Sequence, residues 1–309
     1  MKRIIFLLLL VAGAIVFGDV VLAQGTALGI SPVNFELTGN PGDVIINQIK
    51  IFNSSEDSSI GIKMEVEDIT PQGEIGHVVT EPVEKDTYSL AGWIKTDPEE
   101  FILEPRTQGF ITFTISIPEN AEPGGHYGAV LASTKSIAGP GPTGAAITQR
   151  VGTLVLLSVS GEVKEELTVK DFSAPGYSEY GPVPFIIRFE NKGTVHVKPR
   201  GFVTITNWLG KKIADIEFPQ QNVLPGAVRK IDASWDKKWL WGIKYTATLN
   251  GSYGVSNIPF SPEVITFWAF SWKIGLGILV LLMLLILSRR RWIAAFKILI
   301  KGEKYFSKK

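Results

Sequence analysis

IGIKMEVEDI, residues Ile60 to Ile69, decides the fold. Ile60, Ile62, Met64 and Val66 fall on one side of an extended chain, and Lys63, Glu65 and Glu67 on the other. A period of two with apolar residues on one face describes a strand half in a core and half in water. The neighbouring runs read the same way. VIINQIKIF (Val44 to Phe52) lies between the turn NPGD (Asn40 to Asp43) and the polar stretch NSSEDSS (Asn53 to Ser59). FITFTISI (Phe110 to Ile117) sets Phe110, Thr112 and Thr114 against Ile111, Phe113 and Ile115. YGAVLAST (Tyr127 to Thr134) and VGTLVLLSVSG (Val151 to Gly161) follow. Between them, the Gly, Pro and Ala of SIAGPGPTGAA (Ser136 to Ala146) predict a long loop. No run before Phe267 offers three turns of amphipathic helix. Short strands punctuated by turn residues predict an all-β sandwich over residues 24–163.

A second set of strands predicts a second, immunoglobulin-like sandwich over residues 164–262. Its runs are ELTVKDFSA (Glu166 to Ala174), VPFIIRFEN (Val183 to Asn191), RGFVTITNWLG (Arg200 to Gly210), KKIADIEF (Lys211 to Phe218), VRKIDASW (Val228 to Trp235) and KYTATLNGSYG (Lys244 to Gly254). NWLGKK (Asn207 to Lys212) reads as a hairpin turn with Gly210 near a positive φ. The two domains share a weak likeness. Each has a strand that ends in an Asn-bearing turn, IKIFNSS at Ile49 and IRFENKG at Ile187. Each then has a Leu-x-Pro punctuation or close to it before a strand, LEPRTQGFITF at Leu103 and LPGAVRKI at Leu224. Asn53 and Pro105 are 52 residues apart and Asn191 and Pro225 only 34, so the first domain carries an insertion, placed at Pro71 to Pro98. Two sandwiches converging on similar turn chemistry would look the same.

The ends of the chain set the compartment. Lys2 and Arg3 precede an uncharged apolar run and then DVVLAQ, with Val21 and Ala23 where a signal peptidase cuts, so residues 1–23 are expected to be a secretory signal. An uncleaved N-terminal anchor is the alternative. Near the other end, residues 263–288 are expected to form a single C-terminal transmembrane helix. Its apolar run, Phe267 to Ser288, has 22 residues, and at about 1.5 Å per residue it reaches the roughly 30 Å of a hydrocarbon core. Trp268 and Trp272 belong to an outer aromatic belt, Lys273 can snorkel to the headgroups, and Trp292 marks the inner side. Arg289, Arg290 and Arg291 follow at once, and the positive-inside rule then puts the basic tail, residues 289–309, in the cytoplasm. That tail reads equally as an interfacial helix or as a plain stop-transfer flank. The localisation expected is a cell membrane, crossed once, with the N-terminal side outside.

Composition removes several chemistries. Between Gln24 and Trp272 there are 20 Lys/Arg against 28 Asp/Glu, which excludes a basic body built for nucleic acid. Zero cysteines remove disulfides, thiolate catalysis and zinc–cysteine sites. His77, His126 and His196 lack ligand-spaced neighbours, so surface imidazoles are expected and no metal or cofactor. GGHYG (Gly124 to Gly128) lacks the Lys-Ser/Thr ending of a phosphate loop and reads as a turn before a strand. No Gly-x-Ser-x-Gly elbow occurs, and no enzymatic site is nominated. The candidate contacts are aromatic. WDKKWLWG holds Trp235, Trp239 and Trp241, and alternation puts the last two on one strand face. They would stack on sugar, a partner or the membrane surface, or else cover a sandwich edge around one core Trp. Tyr88 and Trp93, on the insertion, are the better candidates for glycan.

Two stretches carry a family resemblance. PGDVIINQIKIFNSSEDSSIGIKMEVEDITPQGEI and FILEPRTQGFITFTISIPENAEPGGHYGAVLAS resemble the N-terminal peptidoglycan-binding domain of WxL-interacting proteins, over residues 30–160. Those are membrane-anchored surface proteins of Gram-positive bacteria with two immunoglobulin-like domains, a C-terminal span and a basic tail. Pilus chaperones have a similarly built first domain. The resemblance implies that the first domain binds peptidoglycan and the second contacts a surface protein. Residues 166–262 match that family's partner-binding domain in no motif. The expectation is therefore a non-enzymatic envelope protein that binds wall glycan or another surface protein, with a chaperone-like module acting by β-strand pairing as the alternative.

Overall fold

A computed structural model describes residues 28–81, 88–135, 148–240 and 243–306, with backbone only for Glu81 and for residues 290–306. The expected signal (1–23), the loop Ser136 to Ala146 and Trp241 lie outside the described residues. The chain forms two compact units. One is Met1–Asp68, Thr80–Ala121 and Tyr127–Leu157; the other is Ile69–Val79, Glu122–His126 and Ser158–Lys309. The expected architecture holds: two immunoglobulin-like β-sandwiches followed by one C-terminal apolar helix.

The first sandwich is built from β1 (Leu28–Ser31), β2 (Asn34–Gly39), β3 (Val44–Asn53), β4 (Ile60–Gln72), β5 (His77–Glu81), β6 (Ile94–Asp97), β7 (Glu100–Leu103), β8 (Gln108–Ser116), β9 (Gly124–Lys135) and β10 (Arg150–Val159). One sheet runs β1-β3-β8-β6 and the other β2-β10-β9-β4-β5, with β7 also on β4. Of the inward positions read from the alternation of β4, Ile62 and Met64 are buried and Ile60 and Val66 half-buried. Ile62 and Met64 of β4, Ile49 and Ile51 of β3 and Ile111, Phe113 and Ile115 of β8 are all buried core residues. β3 and β8 alternate buried with more exposed positions along much of their length, while β9 is buried on both faces from Gly124 to Ser133.

The second sandwich comprises β11 (Leu167–Ser173), β12 (Tyr177–Ser178), β13 (Val183–Asn191), β14 (Arg200–Asn207), β15 (Lys212–Glu217), β16 (Val228–Trp235), β17 (Lys244–Tyr253), β18 (Ile258–Pro259) and β19 (Glu263–Ala269). Its sheets run β11-β13-β16 and β12-β19-β17-β14-β15, with β18 on β17. Phe185, Ile187 and Phe189 of β13 pack on Val203, Ile205, Leu249 and Phe267 of the facing sheet. The helix α1 (Trp272–Phe306) follows β19 after two residues.

Here the structure corrects the expected span. Residues 263–269 do not begin a helix; they pair with β17 from Lys244↔Trp268 to Leu249↔Glu263. Phe267 and Ala269 point into the core while Val264 and Trp268 face out. A half-buried strand and a membrane helix are both apolar, and over seven residues the two periods overlap too closely to separate. Phe267 is thus a core residue, and Trp268 belongs to a sheet.

The likeness between the two domains has one physical basis. Asn53 and Asn191, both buried, end β3 and β13. Asn53 Oδ1 accepts from Ser55 N–H at 2.9 Å, and Asn191 Oδ1 from Gly193 N–H at 2.8 Å. Each Nδ2 then donates across the sandwich end, Asn53 to Leu103 O and Glu104 O, Asn191 to Val195 O and Val223 O. The carbonyls of Leu103 and Glu104 lie at the Pro105 turn and that of Val223 at the Pro225 turn, whereas Val195 follows Asn191 in its own loop. In each turn the residue after Pro has positive φ, 55° at Arg106 and 71° at Gly226. The Asn turn and the Leu-x-Pro turn are therefore one device, in which a buried amide pegs the loop that feeds the next strand.

Candidate interaction surfaces

Trp93 ends a short 3-10 turn, Ala91–Trp93, Tyr88 lies just before it, and a buried carboxylate holds its start. Asp68, on β4, accepts from Ser89 Oγ (2.7 Å), Leu90 N–H (2.9 Å) and Ala91 N–H (2.8 Å). Three bonds to one carboxylate hold the segment on the sheet. Tyr88 O accepts from Tyr127 N–H at 2.8 Å, and the two rings lie 6.2 Å apart. Both candidates are half-buried. They are fixed parts of the sandwich edge with one side open to solvent.

The Trp235–Trp241 cluster separates. Trp235 is a core residue, 5% exposed, packed edge-on against Tyr245 at 5.2 Å and Phe267 at 6.4 Å. It ends β16, opposite Val183, and is unavailable to a ligand. Trp239 is exposed and lies beyond the strand, so the expected strand alternation of Trp239 with Trp241 is not formed at Trp239. It makes one bridge to Tyr180, ring to ring at 5.8 Å.

The anchor candidates gather where α1 leaves the sandwich. Tyr177 Oη donates to Phe270 O at 2.8 Å, and Ser271 Oγ to Glu179 O at 2.9 Å. Lys273 Nζ sits 2.9 Å from Glu179 Oε2. Trp268 and Trp272 are exposed. The 18 residues Trp272–Arg289 are long and apolar enough to cross a membrane, and none is buried. Arg290, Arg291 and Trp292 continue the same helix, with side chains outside the description. The NWLGKK turn is the one expected from the sequence, but its Trp208 and Leu209 were not among the candidate contacts. Asn207 Oδ1 accepts from Leu209 N–H (3.1 Å) and Lys211 N–H (2.9 Å), and Gly210 has φ 76°, as the turn chemistry predicts. That fixed turn presents Trp208 and Leu209, 64% and 68% exposed. Two large apolar residues in a turn were the available signal.

His126 differs from the expected surface imidazole. It is 3% exposed, and its Nε2 lies 2.9 Å from Glu122 O. Gly124, at φ 135°, approaches Thr194 O so closely that a Cβ would sit 2.9 Å from it. Gly124 of PGGHYG is thus needed for close backbone approach. Among the described residues no group of three His, Asp or Glu is placed to hold a metal. An ion cluster that the sequence did not reveal lies on the outer face of the six-stranded sheet. Arg150 of β10 reaches over β9 to Glu65, at 3.0 Å, and to Glu67. Lys63 and then Arg150 hold the Glu65 carboxyl below the usual carboxylate range, against the opposing effect of burial. Arg150, then Thr80, do the same for Glu67.

No protein-family model matches the sequence, and no curated protein does. Among solved structures, the chain is similar to the class 5 fimbriae chaperone CfaA, at 14% identity and TM-score 0.39, over 78% of this chain and 98% of that one. It is similar to the Pseudomonas aeruginosa CupB2 chaperone, at 7% identity and TM-score 0.37, over 78% and 99% of the two chains. The E. coli chaperone DraB matches at 8% identity and TM-score 0.37, over 77% and 95%.

Proposed function

We propose that this chain is a non-enzymatic cell-envelope protein, tethered by α1, whose two sandwiches stand outside the membrane and dock a protein segment by β-strand pairing. The observation that carries the reading is the exposed apolar helix that follows directly from a finished sandwich. Trp272–Arg289 rises about 27 Å as a helix, and apolar surface of that extent is stable in lipid or against another apolar surface. Arg289, Arg290 and Arg291 at its far end favour a cytoplasmic tail.

Open sheet edges support strand pairing over glycan stacking. β16 ends its sheet, and Lys230 on its outer edge already donates its N–H to Glu74 O at 2.6 Å. Strand alternation points the N–H groups of Asp232 and Ser234 the same way, ready for an added segment. The glycan candidates are weaker, since Trp235 is in the core and Tyr88 and Trp93 are half-buried.

Two measurements test this. The full chain should stay in the membrane pellet after alkaline extraction, and protease added to intact cells should remove its sandwiches; release into the supernatant defeats the tether. A crosslinker on Ser234→Cys should capture a protein, and Asp232→Pro should abolish capture, because proline removes the outward N–H but leaves the β13 ladder whole. Retention on peptidoglycan sacculi with no captured protein would replace strand pairing by the glycan binding that the family resemblance implies.

A further inference from the structure

The register of the second sandwich gathers its exposed aromatic residues at one end. Trp268 stands opposite Lys244 in one direction and opposite Tyr177 in the other. Asn207 pairs with Tyr245, so the turn that follows it, with Trp208 and Leu209, is level with Trp268. Val183 pairs with Trp235, which brings the segment carrying Trp239 to the same end of the facing sheet. Gly181 N–H donates to Lys238 O at 3.3 Å, tying that segment to the loop of Tyr177 and Tyr180. This is the end from which α1 leaves. Four separate segments, none of them in the helix, thus carry exposed large apolar side chains to the level at which the chain turns helical. The opposite end carries Val255, in the turn after β17, roughly 30 Å away along that ten-residue strand.

We propose that this end of the second sandwich is a lipid-facing collar, seated in the headgroup layer of the membrane that α1 crosses. The proposal rests on the tether reading and goes beyond it, since it assigns Trp208, Leu209, Trp239 and Tyr180 to lipid instead of to a protein or glycan. Indole and phenol rings partition to the boundary between hydrocarbon and water, because one part of each is apolar and one part bonds to water or headgroups. The fringe of the collar is basic. Lys211, Lys237, Lys238 and Lys244 are exposed at this end, where they complement anionic headgroups. The collar is held rigidly. Asn207 fixes the Trp208 turn, and the Tyr177–Phe270, Ser271–Glu179 and Lys273–Glu179 contacts fix the helix start against the sandwich. An ordinary linker would let the sandwich tumble above the membrane. Here a two-residue junction leaves the end loops no position except beside the helix, at headgroup depth.

The chain has no cysteine, so single-cysteine spin labels can be placed without a background. Four variants of the full chain, Trp208→Cys, Trp239→Cys, Val255→Cys and Ile278→Cys, are labelled in vesicles of phosphatidylcholine and phosphatidylglycerol. Accessibility is read to oxygen, which enters lipid, and to a nickel chelate, which stays in water. The label at 278 should favour oxygen and the label at 255 the chelate, with 208 and 239 shifted from the value at 255 toward that at 278. Leu209→Cys repeats the hairpin measurement with Trp208 in place. If 278 reads as lipid while 208, 209 or 239 reads as water like 255, the collar is overturned and the tether stands. If all the labels read as water, the tether and the collar fall together.

Discussion

Asn191 makes three hydrogen bonds inside the second sandwich, and Asn53 makes four in the first. Replacing Asn191 by Ala strands two carbonyls and one N–H in a buried site, and should cost about 3 kcal/mol in thermal unfolding of the full chain in detergent. The two Pro turns behave differently. Gly226→Ala puts a Cβ into open space but at left-handed φ, so it should cost about 1 kcal/mol, all of it backbone strain. Arg106 already bears that strain, and Arg106→Gly should change stability by less than about 1 kcal/mol, because relief in the fold opposes the added freedom of the unfolded chain. Both Asn residues and both Pro turns could be read from the sequence. Their joining could not, because a bond from Asn53 to Leu103 O spans 50 residues.

At the scale of elements, alternation predicted most of the long strands, since such a strand has one wet and one dry face, but not short ones such as β1, β5, β6 and β7. It failed where a strand runs on into a different kind of apolar segment, and not at β9, which is buried on both faces yet was read as a strand. β19 is continuous in sequence with the apolar run beyond it, and Trp239, expected on a strand face with Trp241, lies outside any strand. The docked insertion depends on Asp68. Asp68→Ala should speed amide hydrogen exchange at Leu90 and Ala91 well above that of β4, and unchanged exchange there would deny the clamp. The ion cluster over β9 predicts a pH effect. Glu65 and Glu67 have folded pKa values below the ordinary 4.5, so their contribution is complete above that value and is lost as pH falls through the folded values. Arg150→Met should flatten the loss of stability between about pH 5 and pH 3, measured as midpoint against pH.

For the whole molecule, the two ends and the composition conveyed more than any motif. Segregated charge, a long apolar run and three arginines carry the proposed membrane crossing, whereas the proposed collar has no counterpart in them. Trp208, Trp239 and Tyr177 are far apart in sequence, and only strand register brings them level. Deleting residues 272–309 should release the remainder from membranes into the soluble fraction, with its unfolding midpoint kept, because the second core is complete at Ala269. The passage from β19 into α1 has a mechanical corollary. β19 lies inside its sheet, between β12 and β17, and its ladder runs along the direction in which the helix would pull. Tension between a captured partner and the bilayer would strain the rungs of that ladder together and not peel them one at a time, so the sandwich should resist shear where a hairpin would unzip.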